Sequence, residues 1–136
     1  MKLVPAALSL LLAACAASSP ETPRAAPPMS EPVTLAGTGW NVPGAANPSA
    51  TPRLEFSASG RVTGFTGCNM LTGSYTFDGD RLEVAAATTK RACFGAANEA
   101  EALMLAILGG RPRVAITGHK LILTTPEGKR LELDRQ

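Results

Sequence analysis

The sequence predicts a mainly β domain, α+β only in a minor sense: a small, strongly curved antiparallel sheet or barrel plugged by one helix. Three observations carry this expectation. Apolar residues alternate with period 2 along most of residues 54–133, tight-turn signals separate the runs about every ten residues, and one segment alone switches to helical periodicity.

Taken in order, the alternating runs are Leu54/Phe56, Arg61-Val62-Thr63, Tyr75/Phe77 and Leu82/Val84, then Val114/Ile116, Leu121/Leu123 and Leu131/Leu133. Between them lie Ser57-Ala58-Ser59-Gly60, Asp78-Gly79-Asp80, Thr117-Gly118-His119 and Pro126-Glu127-Gly128, residue types that accept the tight backbone of hairpin turns. Short strands joined by such turns pair with their neighbours and give antiparallel meanders. Residues 98–108 break the pattern, with apolar side chains at 100, 103, 104, 107 and 108, the stripe of an amphipathic helix. Asn98 is placed to cap it, Glu101 to complete a variant of the capping box, and Glu99 and Glu101 to favour the first turn; Gly109-Gly110 and Pro112 stop it. Leu103, Met104 and Ile107 are then expected to cover the open side or end of the sheet.

The chain divides into three parts. Residues 1–14 read as a signal peptide, with Lys2 ahead of an uncharged run from Leu3 to Ala14. As a helix that run would span only about 18 Å against roughly 30 Å of hydrocarbon, too short for a mature anchor. Its end, Leu12-Ala13-Ala14-Cys15, resembles the lipobox of bacterial lipoproteins, in which the Cys is diacylated and becomes the first residue. Cys15 is therefore the expected lipidation site, since two or three acyl chains hold a membrane stably where one does not. Residues 15–32 hold this Cys and a Pro/Ala/Ser-rich stretch with Met29 as its one large apolar side chain after Cys15, expected to act as an extended, disordered tether. Ala16, where an Asp would favour inner-membrane retention, points in a Gram-negative host to the outer membrane and the periplasm. Residues 33–136 form the folded domain and keep the chain's net charge of +2.

Composition excludes several function classes. With 18% charged residues, a net charge of +2 and 4% aromatics, the chain has neither the basic excess nor the stacking platform of a nucleic-acid binder. Two Cys and the single His119, without CxxC or HxxxH spacing, fall short of a zinc site, so no metal and no cofactor is expected. His119 sits in a Gly-His-Lys turn, exposed and poorly placed to be the base of a thiol dyad. Serine hydrolysis would need the same His, and no GxSxG motif is present. Asp78 and Asp80 flank a turn glycine, and no carboxylate pair stands out as glycosidic. Gly64, Gly67 and Gly73 lack the Lys-Ser/Thr and following helix of a phosphate loop. They read as points where the sheet curls, with Asn69 left-handed or bonded through its side chain. Cys68 and Cys93, an even pair in an exported protein, read first as a disulfide; the alternative is two buried thiols acting as small hydrophobes.

The order of these features carries a resemblance. Gly37-Thr38-Gly39-Trp40 precedes Leu54-Glu55-Phe56 and Gly60, followed by Gly67-Cys68-Asn69, Gly73-Ser74-Tyr75, Thr88-Thr89 leading to Cys93, the Glu-rich helix start, Leu121-Ile122-Leu123 and Gly128 before Leu131. Over residues 35–134 this is similar to the META domain, the HslJ-like family. The resemblance implies a compact antiparallel barrel-like fold with one helix, often carried on bacterial lipoproteins or secreted proteins and associated with heat-shock or envelope-stress responses and drug tolerance. It supplies no catalytic residues: Trp40, Gly67, Cys68, Asn69 and Cys93 carry over as motif positions of unknown role, while Arg91 and the loop from Pro43 to Pro52 look variable. The expected protein is non-enzymatic, monomeric and tethered through its lipid, binding another protein or an envelope component. Two further readings stand beside it: a carrier of a small apolar ligand inside a lipocalin-like barrel, and a thiol redox protein using Cys68 and Cys93.

Overall fold

The computed structural model describes residues 33–45 and 47–136. The expected signal peptide, the lipidation site Cys15 and the tether lie outside the described residues. Among those described, no helix is long and apolar enough to cross a membrane.

Eight strands close into an up-and-down antiparallel barrel in sequence order: β1 (Thr38–Asn41), β2 (Arg53–Phe56), β3 (Arg61–Phe65), β4 (Met70–Asp78), β5 (Arg81–Thr88), β6 (Arg113–Thr117), β7 (Lys120–Thr124) and β8 (Arg130–Arg135), with β8 pairing back to β1. One helix, α1 (Ala96–Gly109), lies between β5 and β6. Of the two forms expected, a curved sheet or a barrel with one helix, the structure is the closed barrel, and α1 buries Met104, Ile107 and Leu108 against its core. The seven alternating runs are strands β2 to β8. The closing strand β1 carries no alternating pattern, because Gly39 interrupts its four residues and Trp40 is its one large apolar side chain. Its place is set from a distance. Trp40 is fully buried, its indole N–H donates to Thr38 Oγ1 at 2.7 Å, and the Arg135 guanidinium lies 4.7 Å from the ring centre.

Inward-facing Leu54, Phe56, Val62, Leu71, Leu82, Leu121, Leu123 and Leu133 fill the interior together with Trp40. Burying each contributes about 1.5–3 kcal/mol. Two glycines let the wall coil this tightly. A Cβ on Gly64 would collide with the Arg53 carbonyl, and one on Gly73 with the Ala85 carbonyl and the Ala86 backbone. Phe77 alternates in phase with Tyr75 but lies at the rim and is exposed, its ring edge-on to Tyr75.

The helix departs from expectation at its start. Gly95, with φ +60°, turns the chain into α1 and occupies the cap position without a side-chain hydrogen bond, so the helix begins two residues before Asn98. Asn98 is therefore inside the first turn and caps nothing, and only Glu99 serves as a first-turn acid. The buried face is Met104, Ile107 and Leu108, whereas Leu103 is 43% exposed, so the helix is rotated from the expected contact set.

Up-and-down connection places alternate loops at opposite ends. One end, the turn end, gathers the β2–β3, β4–β5 and β6–β7 turns, the segment Val33–Gly37 that leads into β1, and the final residue Gln136. The other, the helix end, gathers residues 42–52, 66–69, 89–95 with α1, and 125–129.

Candidate functional site

Most motif positions converge on the helix end. The β3–β4 loop, Thr66-Gly67-Cys68-Asn69, is nearly all buried, with Thr66 at 0%, Cys68 at 4% and Asn69 at 3% exposure. Gly67 has φ +101°, and a Cβ there would stand 3.2 Å from the Ala100 methyl and 3.3 Å from Pro52 Cγ, so the loop lies directly against the first turns of α1. Cys68 is disulfide-bonded to Cys93, which ties this loop to the segment between β5 and α1. The pair expected first as a bridge is a bridge.

Asn69 organises the rest. Its Oδ1 accepts from the Arg91 N–H at 2.7 Å and from Thr89 Oγ1 at 2.9 Å, and its Nδ2 donates to the Arg91 carbonyl and to Glu101 Oε1, both at 3.1 Å. Thr66 Oγ1 donates to Glu101 Oε2 at 2.5 Å and accepts from the Asn69 N–H at 2.9 Å. That hydroxyl also lies 3.0 Å from the Asn69 carbonyl, but with a single proton it serves the carboxylate, and the carbonyl is satisfied by the Thr66 N–H at 2.9 Å. Cys68 Sγ sits 3.4 Å from the Arg91 carbonyl; bonded to Cys93 it carries no proton, so this is a packing contact. Among the described residues no buried side-chain polar atom lacks a partner.

The chemistry of this arrangement is that of a clamp. Both amide protons and both faces of the Asn69 oxygen are committed, which leaves nothing to bind a reacting group, and the two sulfurs are bonded to each other. Asn69 does take the side-chain-bonded conformation rather than the left-handed one, since Arg111 is the one described non-glycine residue with positive φ. His119 lies exposed in the β6–β7 turn at the opposite end from Cys68 and Cys93, so the thiol dyad considered from sequence is not assembled. Among the described residues no three His, Cys, Asp or Glu side chains cluster as a metal site. Trp40 belongs to the barrel core and not to the clamp.

Sequence reasoning missed Thr66, Thr89 and Glu101. Glu101 carried a readable signal, because it falls on the helix stripe shared by Met104 and Leu108, where a carboxylate needs a partner. Arg91, set aside as variable, contributes its backbone N–H and carbonyl, which any residue would supply. The loop from Pro43 to Pro52, also set aside, forms with Gly67, Ala96, Ala97 and Ala100 an open apolar groove of about 380 Å³. Beside the clamp, Phe94 is 89% exposed.

Three ionisations are perturbed, two at the turn end and one in the β7–β8 turn. Burial pushes the Tyr75 phenol up, and its hydroxyl donates to the Ser57 carbonyl at 2.8 Å. A hydrogen bond and the charge of Asp134 raise Lys120. In the β7–β8 turn, Glu127 is held below its ordinary value by its own backbone N–H and then by the Thr125 hydroxyl.

Comparison with known proteins places this geometry. Residues 33–136 match the family model of the META domain. An NMR structure of a protein from Burkholderia xenovorans is similar at a TM-score of 0.58 and 26% identity, covering 88% of this chain and 97% of that one. A second NMR structure reaches a TM-score of 0.62 at 19% identity over 74% of this chain and 90% of the other, a likeness of fold alone. No curated protein matches the chain. Since the family match spans every strand of the barrel, the helix and both bridged cysteines, the chain belongs to the META domain family.

Proposed function

We propose that this chain is a membrane-tethered envelope lipoprotein that acts by binding a protein or other envelope component, without catalysis, and so contributes to heat or envelope stress tolerance. The observation that carries the reading is the lipobox Leu12-Ala13-Ala14-Cys15 followed by a proline-rich stretch that leads into the domain at the turn end. A tether joined there directs the helix end, with its apolar groove and exposed Phe94, away from the bilayer. In a Gram-negative host, Ala16 after the anchor assigns the protein to the periplasmic face of the outer membrane.

The saturated clamp supports a binding role over a catalytic one, because its polar groups serve the fold. The small-ligand carrier has less support: the barrel interior is occupied by Trp40, Phe56 and the leucines, where a lipocalin-like carrier would hold its ligand. A thiol redox role would require opening a bridge whose Cys68 is buried.

Intact mass of the protein isolated from its native membrane, with and without reduction, tests the reading. The expected species is acylated, begins at Cys15 and gains two hydrogens on reduction. A species with an unmodified N-terminus overturns the tether, and one with free thiols returns thiol chemistry to first place.

A further inference from the structure

The barrel wall has an opening that the register makes plain. β5 pairs with β4 along its whole length, from Arg81 opposite Asp78 to Thr88 opposite Leu71, yet it pairs with β6 at Arg81–Arg113 alone. The Leu82 N–H reaches the Pro112 carbonyl, and the Thr89 N–H reaches Met70 on the β4 side. Backbone groups alternate sides along a strand, so those of Val84, Ala86 and Thr88 point away from β4. Among the described residues no hydrogen bond reaches them, in the position a neighbouring strand would fill. Natural edges are commonly blocked by charge, proline or a bulge. Here Val84-Ala85-Ala86-Ala87-Thr88 carries neither charge nor proline, and Ala85, Ala86 and Ala87 are exposed.

The helix supplies the second wall. Leu108 and Gly109 line a groove with Val84 and Ala85 that also reaches across Ser74, Tyr75 and Thr76 of β4. One turn earlier on the same side of α1 is Leu105, 37% exposed. Because α1 runs back along β5, four helical residues match about two strand residues, which sets Leu105 beside Ala86. An open strand edge beside an apolar helix flank is the geometry in which an extended segment gains main-chain hydrogen bonds and side-chain contacts together.

Charge and chain composition select the occupant. At the β6 end of the groove Arg111 is already bound, to Asp78 at 2.6 Å and Glu83 at 2.7 Å. At the other end Lys90 and Arg91 are exposed, and no ion pair engages either among the described residues. Residues 16–32 carry prolines at 20, 23, 27, 28 and 32, a composition that lacks the N–H donors a strand ladder uses. A second copy fits poorly: pairing two β5 edges about Ala86 brings both α1 helices to one side of the joined sheet, where each already borders the groove.

We propose that the β5 edge and α1 together take up an extended segment of another protein, running antiparallel to β5, with small or β-branched side chains and an acidic residue at its N-terminal end beside Lys90 and Arg91. This deepens the binding role proposed above and rests on it, while assigning the site to the barrel seam.

The probe is the blocked hexapeptide Asp-Val-Thr-Val-Thr-Val, titrated into the full chain with amide exchange read by NMR. In the free protein the amides of Val84, Ala86 and Thr88 exchange fast while those of Ala85 and Ala87 are protected; the peptide protects the first three. Ala86→Pro costs no ladder bond, keeps the fold and weakens the peptide about tenfold or more. Lys90→Glu weakens the Asp peptide, and a peptide with Lys in place of its Asp recovers that loss. Equal binding to Ala86→Pro, absence of charge rescue, or no binding overturns the groove. Amides already protected in a dimeric free protein overturn it in favour of a second copy. If the groove fails while site-specific cross-linking through another face of the full chain still captures an envelope partner, the broader binding role survives; if no face captures one, both fail.

Discussion

The two ends of this barrel are built by different physics. At the turn end, two- to four-residue turns close hairpins whose register the neighbouring strands already set, so each turn is a local matter. At the helix end, the β3–β4 loop, the segment after β5 and α1 are far apart in sequence. They meet through one disulfide, the bonds of one asparagine and the Thr66 bond to Glu101. What varies between the ends is how much structure depends on a single residue, and motif residues gather where that dependence is greatest.

The largest effect is expected at the bridge. Replacing Cys68 and Cys93 together by Ser releases a loop of 25 residues in the unfolded chain, which lowers stability by about 3 kcal/mol, or about 12 °C or more in Tm for a domain of this size. Calorimetry of the variant beside the parent measures it, and an unchanged Tm would erase the contrast between the ends. Next is the asparagine: Asn69→Ala orphans the Arg91 backbone groups and removes one of the two donors to Glu101, costing about 2–3 kcal/mol. Asn69→Asp falls in the same range, because it keeps an oxygen for Arg91 and Thr89 but sets a second carboxylate beside Glu101. At the turn end the matching change, Tyr75→Phe, removes one bond to the Ser57 carbonyl and costs only about 1 kcal/mol in urea unfolding.

The ends also differ in the direction of their pH sensitivity. Tyr75 and Lys120 serve the turn end, and both have folded-state pKa values above the ordinary 10.0 and 10.5. Their contribution is fully present below those values and is lost as pH rises through the higher folded ones. Glu127, at the helix end, is lowered from 4.5, so its contribution is present above that value and lost as pH falls through the folded one. Amide exchange against pH should therefore show the β6–β7 turn loosening first in base and the β7–β8 turn first in acid. The smallest effect is expected at Arg111, where Gly relieves a positive φ and removes two exposed ion pairs, leaving stability within about 1 kcal/mol.

The same contrast explains what was legible in the sequence. β2 to β8 were readable because alternation and turn chemistry are local, and the tight packing at Gly64 and Gly73 followed from glycines inside strands. β1 was not, because its Trp40 is placed by barrel closure and its Gly39 hides the alternation. The helix was readable in kind but not in phase. Asn98 looked like a cap on local grounds, but Gly95 and the neighbouring disulfide start the helix earlier and turn Glu101 toward Asn69. In the clamp, Gly67, Cys68, Asn69 and Cys93 stood out as motif positions, yet the role of Asn69 depends on partners 20 to 32 residues away.

The central claim is that Gly67, Cys68, Asn69 and Cys93 hold the helix end together. Native-state hydrogen exchange of the full chain tests it most directly. The account predicts that the Asn69 and Arg91 amides open only with global unfolding, that the Gly79 and Gly118 amides exchange far faster, and that Asn69→Ala collapses the difference. Asn69 and Arg91 amides exchanging as freely as those of the turns, or protection unchanged in Asn69→Ala, would contradict it.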